Sequence, residues 1–236
     1  MIGITPHSDE NDDRKKADLN EADKYVVERE RMVEEQLVSR GIKDQRVLMA
    51  FREVPRHAFV SGELQPQAYN DYPLPLEHGQ TISQPYMVAL MTECLQLKGS
   101  EKILEVGTGS GYQAAILSKL ADKVYSIERD TLLARKAREL LTRLKIENVV
   151  IKVGDGTLGW REFSPYDGII VTAGSPLVPE PLQKQLRDSG RLIVPVGSSA
   201  FQNLMCIQKR GSQFKTDEIC GCTFVPLIGD HAWAQE

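Results

Sequence analysis

The chain has no apolar run of membrane-spanning length, no basic-then-apolar leader and no excess of positive charge. Its 29 Lys and Arg face 33 Asp and Glu, for a net charge of -4, so the basic footprint of a nucleic-acid binder is missing. Without about 20 consecutive apolar residues nothing marks a helical span, and the expected compartment is the cytosol. Cysteine is scarce too. Cys94, Cys206, Cys220 and Cys222 lack C-x-x-C spacing, and the last two alternate with Gly221 in strand-like sequence. Buried thiols are expected there rather than a disulfide, and no metal site is expected.

What is present is an ordinary globular composition, 41% apolar and 26% charged over 236 residues, enough for one sizeable core with an appendage. The organising stretch is Lys102 to Leu120. An apolar run (Ile103, Leu104, Val106) is broken by Gly107, Gly109 and Gly111, and from Tyr112 apolar residues recur at helical spacing. Strand, glycine turn and helix let a backbone lie against a ligand. The sixth position from Gly107 is Tyr112, so the run is G-x-G-x-G and not the dinucleotide fingerprint. Glu105 stands two residues before the turn, where a carboxylate suits a cationic or amine-bearing ligand better than a pyrophosphate. Glu128 ends the next apolar run, about 20 residues on, where an acid that binds ribose hydroxyls is expected. Two acids and no phosphate seat point to an adenosyl ligand, with S-adenosyl-L-methionine as the candidate.

Residues 1–25 are charge-dense and poor in apolar side chains, and read as a tail. The rest, 26–236, reads as a single domain. Its 26–98 part holds N-terminal helices and a loop region: Met32, Val33, Gln36 and Leu37 share a face that Gly41 ends, and Asp44 caps a second helix that stops before Pro55. The stretch from Arg56 to Pro85 is irregular, yet its apolar and aromatic content argues for a functional loop. A helix over Tyr86 to Leu97 leads into the cofactor-binding core, 99–200. There Leu132 to Leu144 predicts a helix, Val149 to Val153 and Tyr166 to Val171 predict strands, Leu182 to Leu186 a short helix stopped by Gly190, and Arg191 to Val196 another strand. In the closing part, 201–236, Asn203 to Ile207 and Ile219 to Leu227 predict two last strands. The fold class is therefore α/β, a doubly wound Rossmann-like, mostly parallel sheet with an antiparallel edge. Ligands of such sheets lie outside the carboxyl ends of the strands, which gathers Gly107, Gly109, Glu128, Asp155, Gly156 and Thr172 on one rim.

From about Met32 to Trp233 the chain resembles the protein-L-isoaspartate O-methyltransferases, repair enzymes of the class I S-adenosylmethionine-dependent methyltransferase fold. The resemblance rests on Gly79-Gln80-Thr81-Ile82-Ser83-Gln84-Pro85-Tyr86, preceded by Val54-Pro55-Arg56. LEVGTGSGYQ, Gly154-Asp155-Gly156, the run Pro165 to Gly174 and the late FVPL from Phe224 to Leu227 follow in order. It implies that Glu105, Gly107, Gly109, Glu128, Asp155, Gly156 and Thr172 hold the cofactor, and that Thr81, Ile82 and catalytic Ser83 sit between cofactor and substrate. It further implies that Tyr72, Ile82, Ser83, Val225 and Pro226 bind an isoaspartyl-containing protein or peptide, and that the last two strands follow an altered order. A monomer is the expected working unit, although nothing in the residues sets the oligomeric state.

An isoaspartyl residue leaves its α-carboxyl free, and that group is ionised at neutral pH, so no general base is required. Ser83 could hold one carboxylate oxygen by a neutral hydrogen bond and leave the other to attack. By spacing alone Ser83 would be a loop or capping hydroxyl; with no base required, His57, His78 and His231 read as packing or surface residues, although His78 lies close enough to Ser83 to line the groove. Two other readings stand beside the repair enzyme: a methyltransferase for a small-molecule carboxylate, and a non-catalytic binding module of the same fold.

Overall fold

The computed structural model describes residues 24–234. Helix α1 occupies 24–32 and widens into a π-helical turn, Val33–Val38. It buries Met32, Val33 and Leu37 and ends at Gly41, whose φ is +94°. Helix α2 (Gln45–Glu53) starts where the Asp44 carboxylate accepts the Arg46 N–H at 2.9 Å, and buries Val47, Leu48 and Phe51. A short hairpin, β1 (Leu74–Pro75) and β2 (Thr81–Ile82), interrupts the irregular stretch. Helix α3 (Pro85–Leu95) follows, with proline at its first turn, where no N–H partner is lost.

The core is strand β3 (Lys102–Val106), α4 (Tyr112–Ser118), β4 (Lys123–Glu128), α5 (Thr131–Arg143), β5 (Val149–Val153), β6 (Tyr166–Val171), α6 (Glu180–Lys184), β7 (Leu186–Gly197), β8 (Gln202–Arg210) and β9 (Gln213–Cys222). These strands form one sheet in the order β5-β4-β3-β6-β7-β8-β9. Pairing is parallel from β5 to β7 and antiparallel through β8 and β9. The two faces follow the period-two alternation of buried residues. Ile103, Ile170 and Ile193 join the core that holds Phe51 and Tyr112, while Leu104, Val106, Ile169, Val171, Leu192 and Val194 join the opposite one. Among the described residues no helix is long and apolar enough to cross a membrane.

Three expectations change. Most of the charged tail, 1–25, lies outside the described residues, but Tyr25 is helical, buried, and stacked on His57 at 4.1 Å between ring centroids. The short helix ends at Lys184 and Leu186 opens β7, so Gly190 stops no helix. It sits in an irregularity where Tyr166 pairs with Leu186 and Gly168 already with Arg191. A Cβ there would lie 2.9 Å from the Arg187 and Asp167 carbonyl oxygens, which is why glycine occupies it. The last strand is Gln213–Cys222 rather than Ile219 to Leu227. FVPL leaves the sheet because Pro226 has no N–H for a ladder, and it bridges to Gly174 instead.

Gly41 and Gly107 both need positive φ, but a Cβ on Gly41 meets nothing within 4 Å whereas one on Gly107 falls onto Thr172 Oγ1. Gly107→Ala is expected to cost roughly 2–4 kcal/mol and Gly41→Ala about 1 kcal/mol in urea unfolding. Equal losses would show that crowding at the turn contributes nothing.

Candidate functional site

At the carboxyl end of central strand β3 the chain reverses through Gly107, Gly109 and Gly111, with φ of +97°, +52° and +88°. The turn is tied to both neighbouring strands. The Gly107 N–H donates to Ile127 O at 2.8 Å, and the Thr172 N–H donates to Val106 O at 2.9 Å. The Thr172 hydroxyl donates to Gly107 O at 2.6 Å. Glu128 closes the clasp, accepting the Gly109 N–H at 2.7 Å on one oxygen and the Asp130 N–H at 2.9 Å on the other.

Above this turn lies a cavity of about 450 Å³, within the usual size range of small-molecule sites. It is lined by Thr81, Ile82 and Ser83 from the hairpin, Gly107 and Gly109 from the turn, Glu128, Gly156 and Thr172 from other strand ends, and Val225 and Pro226 from the closing segment. Six separated pieces of chain thus meet at one place.

Three expected residues are not brought to it. Glu105 is fully buried, on the Ile103 face of the sheet, and receives a short hydrogen bond from Ser126 Oγ. Ser126 in turn meets Thr108 Oγ1 at 2.5 Å, and Thr108 does line the cavity. Burial pushes the Glu105 carboxyl up to about 8, against the Ser126 hydrogen bond and with some help from the Glu128 charge. Asp155 spends its carboxylate on protein groups, accepting the Thr157 N–H and hydroxyl at 2.8 and 2.7 Å and the Asp230 N–H at 2.8 Å. It therefore fastens the C-terminal segment next to the cavity while Gly156 forms the wall. Tyr72 is exposed, with its hydroxyl bound to Asn70 and Gln67.

Other lining residues were not singled out from the sequence. Gln113 is buried and donates to Thr92 Oγ1 at 2.9 Å. Asp130 caps α5 by accepting from Leu132 N and Leu133 N at 2.8 and 3.0 Å, and also pairs with His78 at the hairpin tip. An aspartate just before a helical run is a readable signal for the cap, but no local pattern marks the contact to His78. That contact, with Lys136 to Glu77 at 2.5 Å, ties the hairpin to α5.

The site suits an adenosyl group. Each Glu128 oxygen accepts one backbone N–H and retains capacity for a ribose hydroxyl. A pyrophosphate would instead lie against Glu128 and Asp130, both of which line the cavity. Fold and site together define an S-adenosylmethionine-dependent methyltransferase.

The comparisons narrow this class. The family model for Protein-L-isoaspartate(D-aspartate) O-methyltransferase matches residues 27–232. A Protein-L-isoaspartate O-methyltransferase of Geobacter metallireducens is 55% identical over 214 residues, 90% of this chain and 99% of the relative. One from Syntrophobacter fumaroxidans is 54% identical over 205 residues, 87% of this chain and 96% of the relative. A solved protein-L-isoaspartate O-methyltransferase superposes with a TM-score of 0.79 at 33% identity, covering 86% of this chain and 67% of the other. A Plasmodium falciparum beta-aspartate methyltransferase, solved in complex with S-adenosyl-L-homocysteine, gives 0.74 at 28% identity, covering 85% and 98%. The chain belongs to the protein-L-isoaspartate O-methyltransferase family.

Glu105 yields a pH prediction. Its folded value lies above that of a free carboxyl, so its stabilising contribution is complete below the unfolded value and is lost as pH rises through about 8. Glu105→Gln should remove a decline in stability that approaches about 1.4 kcal/mol per pH unit between those values. Urea unfolding without cofactor at pH 5.5, 7 and 8.5 measures it, and an unchanged slope in the variant would contradict a neutral Glu105.

Proposed function

We propose that this chain transfers a methyl group from S-adenosylmethionine to the free α-carboxylate of L-isoaspartyl residues, with Ser83 as the residue that holds the acceptor. The observation that carries this is the shared cavity: Thr81, Ile82 and Ser83 line the same space as Gly107, Gly109 and Glu128. Acceptor and donor seats share one cavity.

When bound, S-adenosylmethionine supplies a methyl group activated by its sulfonium. Gly107 and Gly109 would present bare backbone to it, Glu128 would accept from its ribose hydroxyls, and Gly156 and Thr172 would complete its wall. The isoaspartyl α-carboxylate, with an ordinary value of about 3.3 to 3.7, arrives already ionised, so no residue need remove a proton. Ser83 donates its hydroxyl proton as a hydrogen bond to one carboxylate oxygen and leaves the other unencumbered. A cation in direct contact would hold both.

Apolar side chains of Ile82, Val225 and Leu227 line the same space, and holding two reactants in register there is worth roughly 7 to 11 kcal/mol. The substrate backbone runs along Val225 and Pro226, and Tyr72, exposed ahead of β1, meets it outside the cavity.

The chain acts in the cytosol as a monomer. Its cysteines are free thiols, and burial raises Cys94 and Cys222 to about 11. Edge strand β9 carries Lys215, Asp217 and Glu218, which oppose edge-to-edge pairing.

Ser83→Ala is expected to lower kcat for an isoaspartyl peptide about 100-fold, the scale of losing one orienting hydrogen-bond donor. The dissociation constant for S-adenosyl-L-homocysteine should stay within about threefold, a shift below about 1 kcal/mol. Equal losses in both would reduce Ser83 to a wall of the cofactor pocket.

A further inference from the structure

Arg56 is among the largest fully buried side chains of the described residues, 0% exposed. Burial lowers its pKa to about 10, with Tyr112 and Tyr69 opposing, so it is charged at neutral pH, and no carboxylate of the described residues stands among the groups acting on it. A dehydrated cation without an anionic partner is a costly thing to keep in a core. Its contacts show what it holds. Nε donates to Ala68 O and Nη2 donates to Ser83 O, both at 2.7 Å. The guanidinium lies over the Tyr112 ring, 4.8 Å from the centroid, and Tyr112 opens α4 directly after the glycine turn.

One planar fork therefore fastens three parts of the chain: the 3-10 segment ending at Gln67, the residue after β2, and the helix behind the turn. The hairpin's far end is held by exposed contacts, His78 to Asp130 and Glu77 to Lys136, whereas the Ser83 end is held by this buried one.

We infer that Arg56 is the positioning residue for Ser83, fixing the backbone from which the hydroxyl is aimed at the acceptor carboxylate. The cation sits behind the loop, bound to the Ser83 carbonyl, and Arg56 does not line the cavity. Its charge is thus kept off the acceptor's lone pairs while its geometry sets the loop. Lysine cannot replace it, because a single ammonium lacks the planar fork that reaches two carbonyls and an aromatic face together.

The inference rests on the role proposed for Ser83, and a double-mutant cycle separates the two. Arg56→Lys, with Arg56→Gln as a second variant that keeps a planar N–H donor, is made alone and in the Ser83→Ala background. S-adenosyl-L-homocysteine affinity reports whether each protein is folded. For Arg56→Lys, kcat with an isoaspartyl peptide should fall about 10- to 100-fold, the cost of a misplacement of about 1 Å. The affinity for S-adenosyl-L-homocysteine should hold within about threefold, and in the Ser83→Ala background the substitution should cost nothing more. Losses that multiply, or fall equally on binding and turnover, would show that Arg56 serves only the core. A drop with Ser83→Ala but not with either Arg56 variant would also overturn the inference while sparing Ser83. No drop with Ser83→Ala removes both.

Discussion

The reversal of the chain after β3 is the constraint from which the rest of the site follows. A central strand must turn back on itself within Gly107 to Gly111, all three glycines at positive φ, and at Gly107 and Gly111 space is short as well. Gly107 leaves room for Thr172 Oγ1, and a Cβ on Gly111 would lie 3.3 Å from the Ala137 Cβ. Because the turn borrows partners from both flanking strands, the ends of β4 and β6 are pinned by the same bonds that shape it. Glu128 then becomes both a structural acceptor and an acid that lines the cavity.

The other half of the enclosure is irregular chain held by polar anchors. Arg56 fixes one end of the hairpin, α5 receives its tip, and Asp155 secures the segment after FVPL. Gly229 approaches Asp155 so closely that any Cβ would collide with the carboxylate. Buried polar anchors of this kind specify one arrangement of loops that no regular ladder could set. The cost of dehydrating Arg56 and Glu105 is offset by the apolar cores on the two faces of the sheet.

Legibility followed physical type. Elements governed by period and punctuation were readable: α2 with its Asp44 cap and Pro55 stop, β3 with its glycines, and the alternation that buries both sheet faces. FVPL misled because its apolar residues wall a cavity instead of filling a strand, and a period-two pattern cannot tell the two apart. Gly190 looked like a helix stop because a strand irregularity and a C-cap both recruit glycine for want of space. Glu105 was read as a ligand from its place beside the turn. On the Ile103 face it reaches Ser126, and through Ser126 and Thr108 it touches the cavity only indirectly. Arg56 gave no sign that it would be buried, since a charged residue pattern announces solvent. Only the irregular segments that wrap it created its site.

The proposed function stands on a donor seat at the glycine turn and an acceptor seat at Ser83 that share one cavity selective for a free α-carboxylate. The most direct test incubates the chain with methyl-labelled S-adenosylmethionine and two peptides identical but for one residue, L-isoaspartate in one and L-aspartate in the other. Label should appear only on the isoaspartyl peptide, as a base-labile methyl ester. Equal labelling of both peptides, or of neither, would contradict the account.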